Sequence, residues 1–274
     1  MRVIDSSTGK VVTYNGGGHA ALSYCIGPRS RGRRRKSSQR YAQVVAGALE
    51  CSRILGISYL WVDQFCIDQE NQDELQSAIS RMHTIYAGSF VTIVSLGESQ
   101  HDGLPGVGQV RRTKQAILTT NDTSYVTAML SLLGSVVPSK WASRGWCYQE
   151  AVLSGRLLIF APDQVHFVCR SAIKSESINE TSESQVSASS GLRLAGLSSD
   201  CKPNFGEPSS DSTRPPSWIF NEWLLSYTAR DLTYQGDILN KCLPWRAEQF
   251  TTLHILGRTI HHKDKPPKQQ DQFY

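Results

Sequence analysis

Between residues 41 and 96 two helical patterns alternate with two apolar runs, and this alternation constrains the fold more than any other feature of the chain. Over residues 41–55, Tyr41, Val44, Val45, Ala48 and Leu49 recur at helical spacing; Ser37 or Ser38 offers an N-cap, and Gly56 supplies a stop. Tyr59, Leu60, Trp61 and Val62 then form a continuous apolar run, the pattern of a strand covered on both faces. Over residues 71–87, Leu75, Ala78, Ile79, Met82, Ile85 and Tyr86 share one helical face, with Asp73 and Glu74 in the first turn, where the helix dipole favours acids. Gly88 ends that helix, and FVTIVSL, residues 90–96, is a second buried strand. Helix, strand, helix, strand indicates a βαβ unit. The expected fold class is α/β, with a mostly parallel central sheet flanked by helices.

The remaining segments extend this plan. Residues 1–26 suggest short strands, with turns at Ser6–Gly9 and at the glycines 16–18, and HAALSYCIG forms a small-residue strand closed by Gly27. Residues 97–109 are a Gly-rich loop. Tyr125, Met129, Leu132, Leu133 and Val136 suggest a helix over residues 124–137, ended by Pro138, and a further helix is expected over residues 143–153. Residues 157–161 and 164–169 suggest an added β-hairpin around Pro162 and Asp163. Residues 173–217 are rich in Ser, Glu, Asp and Pro and too poor in apolar residues for a packed core. Helical patterning returns at Trp218, Ile219, Trp223 and Tyr227, and the chain closes on a polar tail that should be disordered. The division expected is a core over residues 1–172, a low-complexity insert over 173–217, a helical part over 218–240 and a divergent tail over 241–274.

Charge is local. The formal net charge is +5, and residues 27–40 hold seven basic residues, Arg29, Arg31, Arg33, Arg34, Arg35, Lys36 and Arg40, so the remainder is slightly acidic. Such a run is a solvated loop, a nuclear-localisation signal or a nucleic-acid or lipid-headgroup patch. No aromatic residue interleaves it, which argues against nucleic acid as a partner. The seven cysteines form no CxxC and the histidines no ligand spacing, so neither a disulfide framework nor a metal site is expected. No apolar stretch has the length of a membrane span, and the N-terminal residues lack the apolar core of a signal peptide. The expected location is cytoplasmic, or nuclear through residues 29–36.

WASRGWCYQE, residues 141–150, crowds two tryptophans and a cysteine against a carboxylate. Glu150 is either a structural acid paired with Arg144 or Arg156, or a group that acts on a substrate. Trp146 precedes it by one helical turn and can form an aromatic wall. Asp63 and Asp68 follow the strand at 59–62, where ligands bind in open α/β sheets, and they either bind a substrate or cap the next helix. Cys147 has His166 downstream but no nucleophile motif around it, and is expected to be a buried thiol.

Four stretches carry a resemblance. They are HAALSYCIG; YLWVDQFCIDQENQDELQSAISRMHTIYAGSFVTIVSL with GLPG after it; WASRGWCYQEAVLSGRLLIF followed by VHFVC; and LLSYTARDLTYQGDILN. In this order they resemble the fungal heterokaryon incompatibility (HET) domain, over roughly residues 2–240. Ile26 stands where that family usually has Trp, and after Asn240 the sequence departs from the family, as an altered reading frame or a retained intron would make it. The resemblance implies a role in fungal non-self recognition, with programmed cell death as its output. It also implies a distant similarity to TIR domains, whose fold is flavodoxin-like and some of which cleave NAD through a glutamate in a motif resembling W-C-x-x-E. Trp146, Cys147 and Glu150 match that motif. The implied catalytic residue is Glu150, with Asp63, Asp68 and Trp146 binding substrate. No cofactor is implied; NAD enters as substrate. The implied partners are a second copy of the chain and other incompatibility or death-signalling proteins, and a non-enzymatic assembly module is the alternative.

Overall fold

The computed structural model describes residues 1–27, 41–121, 123–169, 172–178 and 230–231. The arginine-rich run, most of the 173–217 insert, all but two residues of the 218–240 segment and the 241–274 tail lie outside the described residues.

The chain opens on a hairpin, β1 (Arg2–Asp5) and β2 (Val11–Thr13). It continues through β3 (His19–Ser23), α1 (Gln43–Ile54), β4 (Tyr59–Trp61), the single turn α2 (Asp63–Cys66), α3 (Gln72–Ala87) and β5 (Val91–Ser95). A second hairpin, β6 (Ile117–Thr120) and β7 (Thr123–Val126), precedes three short helices, α4 (Leu132–Val136), α5 (Lys140–Ser143) and α6 (Gly145–Leu153). The strands β8 (Arg156–Phe160), β9 (Val165–Cys169) and β10 (Ile173–Ser175) follow.

Eight strands form one sheet in the order β10-β9-β8-β5-β3-β4-β1-β2, and β6 and β7 form a separate pair. The architecture is α/β, but the sheet is mixed where the sequence suggested a mostly parallel one. The pairs β4–β3, β3–β5 and β5–β8 are parallel, and the other four pairings in the sheet are antiparallel. Connection length explains most of the difference. Only three to five residues separate β1 from β2, β8 from β9 and β9 from β10, and such short links reach only an antiparallel neighbour. The parallel strands are the centre, and numbered in chain order they lie 2-1-3-4. β3 and β5 are buried along their whole length, as strands covered on both faces should be.

Several local expectations hold. α3 starts at Asn71, whose side-chain oxygen accepts from the backbone N–H groups of Asp73 and Glu74, both at 3.1 Å. β8 and β9 pair over five residues around the Pro162–Asp163 turn. Other expectations need correction. α1 has its N-cap at Ala42, which offers no side-chain cap, and the serines expected to cap it, Ser37 and Ser38, lie outside the described residues. The stretch expected as a helix over 124–137 holds most of β7, the second strand of the hairpin, then a link and the short α4. Thr-rich, β-branched flanks favour strands here, and Asn121 takes the positive φ of 47° that a tight hairpin turn needs. The helix expected from residue 143 breaks at Arg144, whose φ of −91° and ψ of 131° are extended.

Two apolar clusters fill the interior. The larger joins β3, β4 and β5 to α1 and α3 through residues such as Leu22, Val45, Leu60, Trp61, Ile93 and Tyr86. The smaller gathers Cys25, Val94, Trp141, Cys147, Ile159 and Ala161 where α5 and α6 cover β5 and β8. Their meeting place is the carboxyl end of β3.

Candidate functional site

β3 ends on Ser23 because a small polar residue there can turn its hydroxyl into the layer of helices that follows. The Ser23 hydroxyl donates to Oε2 of Glu150 and accepts from the Trp141 indole Nε1, the latter at 2.7 Å. Glu150 lies on α6 and is only 8% exposed. The Tyr86 hydroxyl donates to the Leu22 carbonyl at 3.2 Å and is also within hydrogen-bonding reach of the Glu150 carboxyl. Residues from β3 and α3 therefore meet the Glu150 carboxyl of α6, and Trp141 of α5 joins them through Ser23.

Its electrostatics follow from this enclosure. Burial pushes the Glu150 pKa up to about 8, and the negative charge of Asp63 adds to the rise. The Ser23 donor, the field of Arg144 and the Tyr86 hydroxyl pull it back down. Among the described residues no ion pair joins Glu150 to Arg144 or Arg156. Arg144 donates instead to the Tyr24 carbonyl at 3.0 Å. Arg156 donates to the Phe90 carbonyl at 3.1 Å, with its guanidinium 4.9 Å from the centre of the Phe90 ring. The carboxyl is thus buried beside a cation without being paired to one.

Asp63 joins this neighbourhood. It begins α2, just past the carboxyl end of β4, and its Oδ1 accepts from the Gln64 backbone N–H at 2.7 Å. Burial of its carboxyl raises its pKa, and Arg144 opposes the rise. Gln64 in turn accepts from the Tyr24 hydroxyl at 2.9 Å, and burial holds that phenol far above its ordinary pKa. Asp68 stands apart, in the loop before α3, where its Oδ1 accepts from the Glu70 N–H at 3.0 Å. Trp146 lies one turn before Glu150 on α6 and packs, partly buried, against the larger apolar cluster.

Three participants escaped the sequence reading. Ser23 is 127 residues from Glu150, so no local pattern links them. Trp141, on α5, is the tryptophan whose indole reaches the Ser23–Glu150 pair. Tyr86 read only as part of the apolar stripe of α3. The position of Ser23, polar at the end of a small-residue strand, was the available signal. His166 is far from Cys147 in role: its Nδ1 meets the Ser175 hydroxyl at 2.8 Å and its Nε2 that of Ser135 at 3.4 Å. A surface cavity of about 110 Å³ opens beside Thr113, Thr127 and Asp163 and includes none of the four candidate residues. Among the described residues no group of His, Cys, Asp and Glu has the arrangement of a metal site, and no helix is long and apolar enough to cross a membrane.

Comparison with known proteins reaches the same stretch of chain. No curated protein and no solved structure matches it. The family model of the heterokaryon incompatibility protein (HET) matches residues 19–150, from the first residue of β3 to Glu150 itself. The segment that builds this site, from β3 into α6, is the part of the chain that matches the heterokaryon incompatibility family.

Proposed function

We propose that the chain is a cell-death effector of fungal non-self recognition, in which self-association brings Glu150 to act on the nicotinamide–ribose bond of NAD. One observation carries this reading: a buried carboxyl without an ion-pair partner lies at the carboxyl edge of the parallel strands. The order 2-1-3-4 of the four central strands agrees with the first four of the flavodoxin-like order 2-1-3-4-5, and the switch point between the first and third of these strands falls between β3 and β5. Ser23, which holds Glu150, ends β3 at that point.

The chemistry fits the electrostatics. The nicotinamide ring of NAD is cationic, and cleavage moves positive charge onto the ribose. A carboxyl pushed up to about 8 by burial is largely protonated at neutral pH, and an arriving cation draws it back to the charged form. Ionised, it stabilises the ribosyl cation as nicotinamide leaves. Ser23 and Tyr86 hold the carboxyl in place, Trp146 and Asp63 flank the substrate, and Asp68 orders the approach loop.

Non-enzymatic assembly is the second reading, and the β6–β7 hairpin favours it. Ile117, Leu118, Tyr125 and Val126 are all exposed on that hairpin, a surface suited to recruiting other death-signalling proteins. Expression of the wild-type chain and Glu150→Gln in fungal cells, following NAD and viability together, separates the two. NAD loss with the wild type alone is expected. Death at constant NAD with both chains would sink the enzymatic reading and leave assembly.

A further inference from the structure

Trp141 and Glu150 could not both reach Ser23 from one straight helix. Nine positions separate them, roughly two and a half turns at 3.6 residues per turn, so an unbroken helix would point them to opposite faces. They meet at one hydroxyl because the chain breaks between α5 and α6, where Arg144 is extended. Such a break leaves carbonyls at the end of one helix and N–H groups at the start of the next without their usual partners, and inside a folded chain each needs a replacement. Arg144, at the cap of α6, supplies none from its side chain.

The replacements come from Arg230 and Asp231, far along the chain. Asp231 forms a parallel β-bridge with Arg144: its N–H donates to the Ser143 carbonyl at 2.7 Å, and its carbonyl accepts from the Gly145 N–H at 3.1 Å. The Arg230 guanidinium donates to the Ala142 carbonyl and lies over the Tyr148 ring of α6, 4.3 Å from its centre. In an unbroken helix the N–H groups of Gly145, Trp146 and Cys147 would instead bond the carbonyls of Trp141, Ala142 and Ser143. Arg230 and Asp231 engage two of those carbonyls and one of those N–H groups. The bridge also needs Arg144 extended, so docking and a continuous helix exclude each other.

We propose that the segment carrying Arg230 and Asp231 is a built-in switch for the Glu150 site. Docked, it holds the break and lets Trp141 and Glu150 share Ser23. Undocked, it frees the groups that join α5 to α6 in one helix, and such a helix cannot present both residues to Ser23. Gly145, a poor helix former, sits at the joint and keeps the break within reach. The contact runs through the side chain of Arg230 and through the backbone of Asp231, a residue that is itself exposed. The switch acts on the carboxyl that the NAD reading uses, and it does not depend on that reading.

Hydrogen exchange at indole N–H groups, followed by NMR in the full chain without NAD, tests it. Trp141 is bonded to Ser23, and Trp61 on β4 is equally buried and reports general opening of the core. The two resonances are assigned by their absence in Trp141→Phe and Trp61→Phe. Asp231→Pro removes the N–H that bonds Ser143. Arg230→Ala removes the guanidinium, leaves the backbone of the bridge in place, and carries the test where Asp231→Pro does not fold. Each should quicken exchange at Trp141 by about tenfold or more and leave Trp61 at its own rate. Asp231→Ala keeps both backbone groups and should exchange as the wild type does. An unchanged Trp141 rate in Arg230→Ala, equal quickening at Trp61, or comparable quickening in Asp231→Ala overturns the proposal. Because no substrate is present, none of these results bears on NAD cleavage.

Discussion

The Ser23 hydroxyl stands between the Trp141 indole, from which it accepts, and the Glu150 carboxyl, to which it donates. One oxygen thus joins the end of the first central strand to two helices more than a hundred residues later. Replacing Ser23 by Ala should act twice. The indole N–H loses its partner inside the core, at a cost of about 1–3 kcal/mol. The carboxyl loses a donor that favours its charged form, so its pKa should rise above the present value of about 8. Urea unfolding reads the first effect and carboxyl-carbon NMR titration the second. A Glu150 titration identical in both proteins would show that the hydroxyl does not set it.

The pH dependence of stability has a definite sign at Glu150. Its pKa is about 8 in the folded chain against 4.5 for the ordinary side chain, so between these values the folded protein keeps a proton that the unfolded chain has released. The stability tied to that proton is fully present below 4.5 and is lost as pH rises through about 8. The span corresponds to roughly 5 kcal/mol in the limit of complete burial. Glu150→Gln removes this term, so its stability relative to wild type should grow steadily from pH 5 to pH 8.5. Parallel urea midpoints for the two proteins across that range would refute the assignment.

The cap of α3 is a separate test of the frame that supports the site. Asn71 satisfies two backbone donors at the start of the helix that carries Tyr86. Asn71→Ala should cost about 1 kcal/mol, and Asn71→Asp should keep most of it. Thermal unfolding measures both. Equal melting temperatures for wild type and Asn71→Ala would contradict the capping geometry.

The β6–β7 hairpin should tolerate charge in the isolated chain. Leu118 is 67% exposed, so Leu118→Lys should change stability by no more than about 0.5 kcal/mol. In the assembly reading the same change should weaken recruitment of other death-signalling proteins, which loss of cell death at unchanged protein level would detect. A loss of stability of 2 kcal/mol or more in Leu118→Lys would mean that the leucine is covered within the chain.

The legible parts of the fold were those whose information is local. α3 declared itself through a six-residue apolar stripe and an acidic first turn, both within a single segment, although its cap proved to be Asn71 and not Asp63 or Asp68. The β8–β9 hairpin declared itself through Pro162 and Asp163 between two apolar runs. The β6–β7 hairpin misled because Tyr125, Met129, Leu132, Leu133 and Val136 imitate a helical stripe, whereas the deciding signals were β-branched threonines and the left-handed Asn121. The mixed sheet was missed because its antiparallel strands lie in pairs at the two ends of the sheet, three of the four antiparallel pairings being made through short links. At the site, Glu150 and Asp63 stand out in sequence as acids beside apolar runs. Trp146 drew attention over Trp141 because it shares the helix of Glu150. The chain is extended at Arg144, which lets Trp141 reach Ser23 from a different helix. Ser23 itself is visible only once β3 and α6 are brought together.

That separation makes the carboxyl centre an indicator of completed folding. Ser23 and Glu150 are 127 residues apart, and the strands between them must pair before the two can meet. During synthesis the strand end waits, without its partner, until α6 has left the ribosome and docked. A chain that stalls or is cut anywhere between them carries every preceding element and has no centre at all. If this domain commands cell death, its command is withheld from fragments and half-folded chains by topology alone.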